Sequence, residues 1–224
     1  EPALNHYRRL NLEFECVYSG WMGSAEQIES CLDYFKSWPD ALAVVDPVMG
    51  DHGKPYQTYT PDMCQRMASL AAAADLITPN LTEASILLGE PYPAAPLRQF
   101  EAKRMLARLS EKGPRLVTIT GVEMADGHVS NLGYDRDRGE YWRVDCNYVP
   151  ASYPGTGDLF ASVLVGALLR GDSLPMAIER ASRFLEIAVR TTFSYGSDTR
   201  YGVMLESCLS WLGQEHTLDR YRLL

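Results

Sequence analysis

The sequence lacks most of the features that would commit it to a membrane, to nucleic acid or to an oxidising compartment. It has no apolar run long enough to cross a bilayer and no secretory leader pattern, so a cytoplasmic protein is expected. Its five cysteines (Cys16, Cys31, Cys64, Cys146, Cys208) form no CxxC and no Cys/His cluster. That scatter argues against a disulfide framework or a zinc site and for reduced thiols. Basic charge is also short: 21 Lys and Arg against 29 Asp and Glu leave a formal charge of −8. A general nucleic-acid or anionic-membrane surface needs the opposite balance, and neither partner is expected. A small anion remains allowed, because backbone N–H groups can hold phosphate inside an acidic protein. There is no internal repeat, low-complexity segment or linker, so residues 1–224 are expected to form a single domain. The P-loop pattern GxxxxGK[ST] and the HRD and DFG signatures of protein kinases are absent too.

What is present alternates between strands and helices. Residues 1–15 suggest the end of a helix running into a strand at Phe14–Trp21. "SAEQIESCLDYFKSW" then places Ile28, Cys31, Leu32 and Phe35 on one helical face, with Ser24 and Gln27 as a capping-box pair. "ALAVVDPVM" (41–49) is a continuous apolar run, the mark of a parallel strand buried on both faces. The pattern continues with a helix over 61–74, a short strand over 75–80 and a helix over 81–89 that Gly89 ends. An amphipathic helix over 97–112 and a buried strand over 115–121 follow. "HVSNLGYD" and "EYWRVDCNYV", separated by "RDRG", read as a β-hairpin. The last third is expected to be helical over 157–170, 174–192 and 201–213. This alternation predicts an α/β fold with helices wound on both faces of a mostly parallel sheet.

The chemistry-bearing residues cluster at predicted strand ends and helix starts. In "PGTGDLFASVL" (154–164), Phe160, Val163, Leu164, Ala167 and Leu168 form an apolar stripe that anchors a helix and holds its start rigid. The first turn of such a helix has unpaired N–H groups and the positive end of the helix dipole. Either Thr156 or Asp158 simply caps the helix, or Gly155, Thr156 and Gly157 make a phosphate cradle with a carboxylate beside it. Three neighbouring strand ends bear on that choice. "DPVMGDHGKPY" supplies Asp46 and Asp51, which are ordinary turn formers or else a pair suited to a hydrated magnesium ion. "TPNLTE" supplies Thr78, Asn80 and Glu83, where Asn80 or Thr82 could equally serve as an N-cap. "TITG" supplies Thr120 and Gly121. Metal-holding carboxylates, phosphate donors and a base together are what phosphoryl transfer requires.

In this order and spacing, "DPVMGDHGKPY", "TPNLTEASILLG" and "PGTGDLFASVLVGALLRG" resemble the pyridoxal kinase branch of the ribokinase-like superfamily, and the resemblance runs over essentially the whole chain. It implies a three-layer α/β/α fold with a mostly parallel sheet plus a β-hairpin. It implies transfer of the γ-phosphoryl group of ATP to the 5′-hydroxymethyl group of pyridoxal, pyridoxine or pyridoxamine. By resemblance Asp158 takes the hydroxyl proton, and the N–H groups of Gly155, Thr156 and Gly157 stabilise the transferring group. Asp46, Asp51 and Glu83 organise Mg2+, partly through water, and Thr78 contributes to a site for a monovalent cation such as K+. Asn80, Thr120 and Thr156 contact nucleotide phosphates, while Trp21, Tyr56 and Asp158 meet the B6 vitamer. A homodimer is implied as well. Hydroxymethylpyrimidine is an alternative acceptor, although its kinases carry a cysteine where this chain has Asp158. A non-catalytic protein that binds B6 or a nucleotide is the other alternative. Trp21 stands where the family usually has a tyrosine, and core packing is its competing role. The family also usually has a further N-terminal segment that this sequence does not contain, so that part of the fold is expected to be missing.

Overall fold

Apolar runs without alternation become the parallel strands of one sheet, and segments with helical spacing become the layers that cover it. The computed structural model describes residues 2–147, 149 and 153–224. Glu1 and Tyr148, at the ends of two expected elements, lie outside the described residues. The chain runs through α1 (Pro2–Arg9), β1 (Cys16–Ser19), α2 (Ala25–Ser37), β2 (Leu42–Val45), β3 (Gly50–Asp51), β4 (Lys54–Pro55) and α3 (Pro61–Ala72). It continues through β5 (Leu76–Ile77), α4 (Leu81–Leu88), α5 (Gln99–Glu111), β6 (Leu116–Glu123), β7 (Val129–Asp135) and β8 (Glu140–Cys146). It closes with α6 (Thr156–Leu169), α7 (Leu174–Tyr195) and β9 (Tyr221–Leu223).

The main sheet has the order β1-β2-β5-β6-β7-β8-β9, and β3 pairs with β4 as a separate two-stranded ribbon. β1, β2, β5 and β6 pair in parallel, and β7, β8 and β9 then add in antiparallel fashion. β8 therefore points the same way as the first four, and the sheet is mostly parallel. One face packs against α2, α3, α4 and α5 around Ile28, Met67, Leu70, Leu106 and Ile119. The other packs against α6 and α7 around Val44, Leu76, Leu164, Ile178 and Phe184. The molecule is thus a three-layer α/β/α sandwich.

Helices cover both faces as expected, but the two faces are filled by different parts of the chain. Among the described strands the order never reverses, because right-handed crossovers that advance in one direction put every connecting helix on the same face. The second face is covered instead by α6 and α7, which enter after the antiparallel strands. Phe160, Val163, Leu164 and Ala167 of the expected α6 stripe are buried, and Leu168 is half-buried. Burial of a side chain such as Phe160 stabilises by about 1.5–3 kcal/mol, which fixes the start of α6 over the sheet.

Three local readings change. Ser24 caps α2 by accepting from Gln27 N, but the Gln27 side chain accepts from Gly23 N rather than Ser24 N, so the reciprocal bond falls one residue early. The expected helix over 201–213 is instead two 3-10 segments, Thr199–Tyr201 and Leu205–Gly213. Gly202, at φ 72°, breaks the path between them, and Met204 N donates to Thr192 Oγ1 of α7 instead of to a helical carbonyl. β9 was not expected at all. Glu179 holds it in place by accepting from the backbone N–H groups of Asp219, Arg220 and Tyr221, a long-range arrangement that no local pattern announces.

Candidate functional site

The parallel register brings the strand ends together. Ser19, Val45, Ile77 and Val117 are level across β1, β2, β5 and β6. Side chains alternate along a strand, so Asp46 and Thr78, one residue further on, turn to the face beneath α6. Both are buried, at 6% and 4% exposure. Gly20 follows Ser19 at the same level. A methyl group built on Gly20 would lie 3.5 Å from Asp158 Oδ1 and 3.4 Å from Tyr18 Oη. One built on Gly157 would lie 4.0 Å from Asp46 Oδ2. The first turn of α6 therefore sits directly on the ends of β1 and β2, with Asp158 within van der Waals reach of Gly20.

Two helix starts face the same cavity, which has a volume of about 920 Å³. At α4, Asn80 is the N-cap: its Oδ1 accepts from Glu83 N at 3.0 Å and Glu83 Oε2 accepts from Asn80 N at 2.8 Å. Asn80 Nδ2 donates to Gly50 O at 2.9 Å, and Glu83 Oε1 accepts from Met49 N at 3.2 Å. At α6 the N-cap is Gly155, in the left-handed region at φ 80°, and no side chain among the described residues caps the helix. Thr156 Oγ1 donates back to Tyr153 O, and Asp158 is exposed. The helix begins at Thr156 rather than Gly157, and neither Thr156 nor Asp158 acts as its cap. Its first N–H groups are left facing the cavity, where the dipole favours an anion.

The buried carboxylates opposite are electrostatically uncomfortable. Burial, and then the charge of Asp158, push Asp46 up to about 7, while the nearby hydroxyls of Thr78 and Tyr18 pull the other way. Tyr18 Oη lies 3.5 Å from Asp46 Oδ2. Burial raises Glu83 to about 8; the N–H of Asn80 opposes this and the charge of Asp46 adds to it. Tyr56 is raised by burial and then by Asp51, Glu83 and Asp46. The buried Thr78 Oγ1 has no hydrogen-bond partner among the described residues. Buried carboxylates and an unpartnered hydroxyl beside an anion cradle form a donor set suited to a cation shared with phosphate oxygens.

Asp46, Asp51, Tyr56, Thr78, Asn80, Glu83, Thr120, Gly155, Thr156, Gly157 and Asp158 all line this cavity. Trp21 does not: it is 56% exposed and lies outside the lining. It is therefore not a core residue, because it follows β1, the edge strand of the described sheet. Among the described residues, no three Asp, Glu, His or Cys side chains converge closely enough to hold a metal ion. Asp51 stands apart on the exposed β3–β4 turn, where His52 (φ 49°) and Gly53 (φ 76°) make the tight connection and its Oδ1 accepts from His52 N.

Sequence reasoning missed several residues of the site. Tyr18 touches Asp46, but on the sequence it is one aromatic within a strand. Thr82 Oγ1 accepts from Gly53 N and ties the β3–β4 turn to α4. Asn131 and Cys146 reach the cavity from β7 and β8. A polar Asn inside an apolar strand pattern was the one available signal.

The three layers and the strand-end cavity together define the ribokinase-like α/β/α fold class. Within that class the chain belongs to the phosphomethylpyrimidine kinase family, whose model matches residues 9–202. The chain is 30% identical over 189 residues to a pyridoxal kinase of Deinococcus radiodurans, covering 81% of this chain and 63% of that one. A Bacteroides thetaiotaomicron protein assigned to the phosphomethylpyrimidine kinases, crystallised with pyridoxal, is 42% identical with a TM-score of 0.93. That match covers 100% of this chain and 79% of the other. The pyridoxal kinase of Lactobacillus plantarum is 32% identical with a TM-score of 0.83, covering 96% and 78%. The chain spans about 60% of the length of the curated relatives it matches.

Proposed function

We propose that this protein transfers the γ-phosphoryl group of ATP to the 5′-hydroxymethyl group of a B6 vitamer. The observation that carries this reading is the uncapped start of α6, with Asp158 in its first turn, packed over the buried Asp46. The pyridoxal in the Bacteroides relative and the names of the pyridoxal kinases support the choice of acceptor.

In this reading the vitamer hydroxyl lies against Asp158. As its oxygen bonds to the γ-phosphorus, the bond to the ADP oxygen breaks and the hydroxyl proton passes to the Asp158 carboxylate. The N–H groups of Gly155, Thr156 and Gly157 stabilise the charge on the transferring oxygens without reorganising, because the apolar stripe of α6 holds them still. Asn80, Thr120 and Thr156 hold the nucleotide phosphates. Asn80 brings its remaining amide hydrogen, since the other engages Gly50 O. Tyr56 and Trp21 flank the vitamer ring, Trp21 from the exposed rim. Asp46, Glu83 and Asp51 would hold hydrated Mg2+, which supplies charge neutralisation between the phosphates, and Thr78 would serve a monovalent cation. The reading includes a single catalytic domain acting in the cytoplasm as a homodimer. No helix among the described residues is long and apolar enough to cross a membrane.

Hydroxymethylpyrimidine is the second reading for the acceptor, favoured by the family description. The deciding experiment supplies ATP and Mg2+ with pyridoxal, pyridoxine, pyridoxamine or hydroxymethylpyrimidine and follows ADP and the phosphorylated product. Turnover on at least one B6 vitamer is expected. Turnover on hydroxymethylpyrimidine alone moves the acceptor, and ligand binding with no product on any of them replaces the kinase by a binding protein.

A further inference from the structure

β6 and β7 are out of step at the cavity. Ile119 pairs with Leu132 and Val122 with Ser130, so Thr120 and Gly121 together stand opposite the single residue Asn131. This is a β-bulge, and Gly121 takes the positive φ (64°) that it demands. Thr120 remains attached to the parallel side, donating its N–H to Pro79 O at 3.0 Å. The Gly121 N–H has lost its place in the ladder. The Asn131 side chain fills that gap, with Oδ1 accepting from Gly121 N at 2.9 Å. The rest of the side chain is anchored as well: Nδ2 donates to Ser182 Oγ at 2.8 Å, and Ser182 Oγ donates to Ile178 O of α7 at 2.7 Å. Asn131 and Ser182 are 5% and 2% exposed. An amide in this setting has little freedom, because a buried polar group that gives up its partner bears the full cost of desolvation.

We infer that Asn131 is a positioning residue for the nucleotide: its amide, anchored by Ser182, holds the Thr120–Gly121 bulge in the shape that presents Thr120 to the phosphates. The inference rests on the nucleotide role proposed above for Thr120. Asn131 lines the cavity, and its two engaged atoms are the ones that tie the bulge to α7, so its role is exerted through Thr120 and Gly121.

Asn131→Leu keeps the branching of the side chain with a somewhat larger volume and removes both hydrogen bonds. The expected result is about tenfold weaker ADP binding by calorimetry and a matching rise in KM for ATP. KM for the vitamer should stay within about twofold, and the Gly121 amide should lose its protection from hydrogen exchange. Ser182→Ala, which removes only the anchor, should weaken ADP about threefold. The inference fails if the leucine variant folds and binds ADP like the parent, or if it weakens ADP and the vitamer equally. Should the leucine variant not fold, unchanged ADP affinity in Ser182→Ala overturns it instead. A parent protein that binds ADP but phosphorylates no vitamer loses its acceptor assignment, while the ADP titrations still decide Asn131. A parent that binds no ADP sinks both.

Discussion

The starts of α4 and α6 open on one cavity and are built in opposite ways. At α4, Asn80 and Glu83 satisfy each other's backbone donors, and their remaining groups hold Gly50 and Met49. At α6, a left-handed glycine begins the helix and no side chain among the described residues caps it. The capped start locks a loop in place and confines Glu83 at 3% exposure. The open start keeps its N–H groups available for an outside anion. A helix N-terminus is thus either a structural joint or a binding site, according to whether its own side chains consume the donors.

Breaking the open start should have the largest effect. Asp158→Asn is expected to lower turnover on pyridoxal by about 10²–10⁴-fold, the range for loss of a general base. ADP affinity, measured by calorimetry, should change less than about threefold. Near-parental turnover would remove Asp158 from its proposed role. The second effect belongs to the capped start. Glu83 titrates near 4.5 when free and near 8 in the fold, so between those values the folded protein binds more protons than the unfolded chain. Its contribution is complete below about pH 4.5 and is lost as pH rises through about 8. Urea denaturation without divalent cations should therefore show stability falling with pH across that window, by at most about 1.4 kcal/mol per pH unit from this group. Glu83→Gln should flatten the slope, leaving the smaller window from 3.8 to about 7 that Asp46 contributes. An unchanged slope would mean that Glu83 is not the buried proton acceptor.

Removal of the cap itself is a smaller perturbation. Asn80→Ala should cost about 1 kcal/mol in urea denaturation, and no more than about 2. The smallest change sharpens the contrast further. Gly155→Ala and Gly89→Ala each put a methyl group on a left-handed residue with nothing within 4 Å, so both should lose about 1 kcal/mol through backbone strain alone. Only the Gly155 variant should also lose ADP affinity, because only that strain acts on the open start. Equal ADP affinity in the two variants would mean that the cradle does not bind phosphate.

Much of this was legible from one dimension. A continuous apolar run marked β2, the short stretch over 115–121 marked β6, the stripe from Phe160 marked α6, and Gly89 marked the end of α4. The polar residues at those ends nearly all reached one cavity, because parallel strands present their C-terminal ends along a single edge. Trp21 was the exception, as the burial of an aromatic beyond an edge strand depends on what stands next to it. The 3-10 turn after α7 and strand β9 were hidden because Thr192 and Glu179, distant in sequence, supply the backbone partners.

The sequence by itself determined which segments form the sheet and its helices, and which residue types gather at the edge, since periodicity and turn chemistry are local properties. Only the tertiary structure decided which helix start is closed and which is open. It also decided that Asp158 lies beside Gly20 at the end of β1, and that Asn131 takes the donor left free by the bulge. Those outcomes depend on distances between residues far apart in the chain, and the packing of α6 and α7 on the sheet sets them.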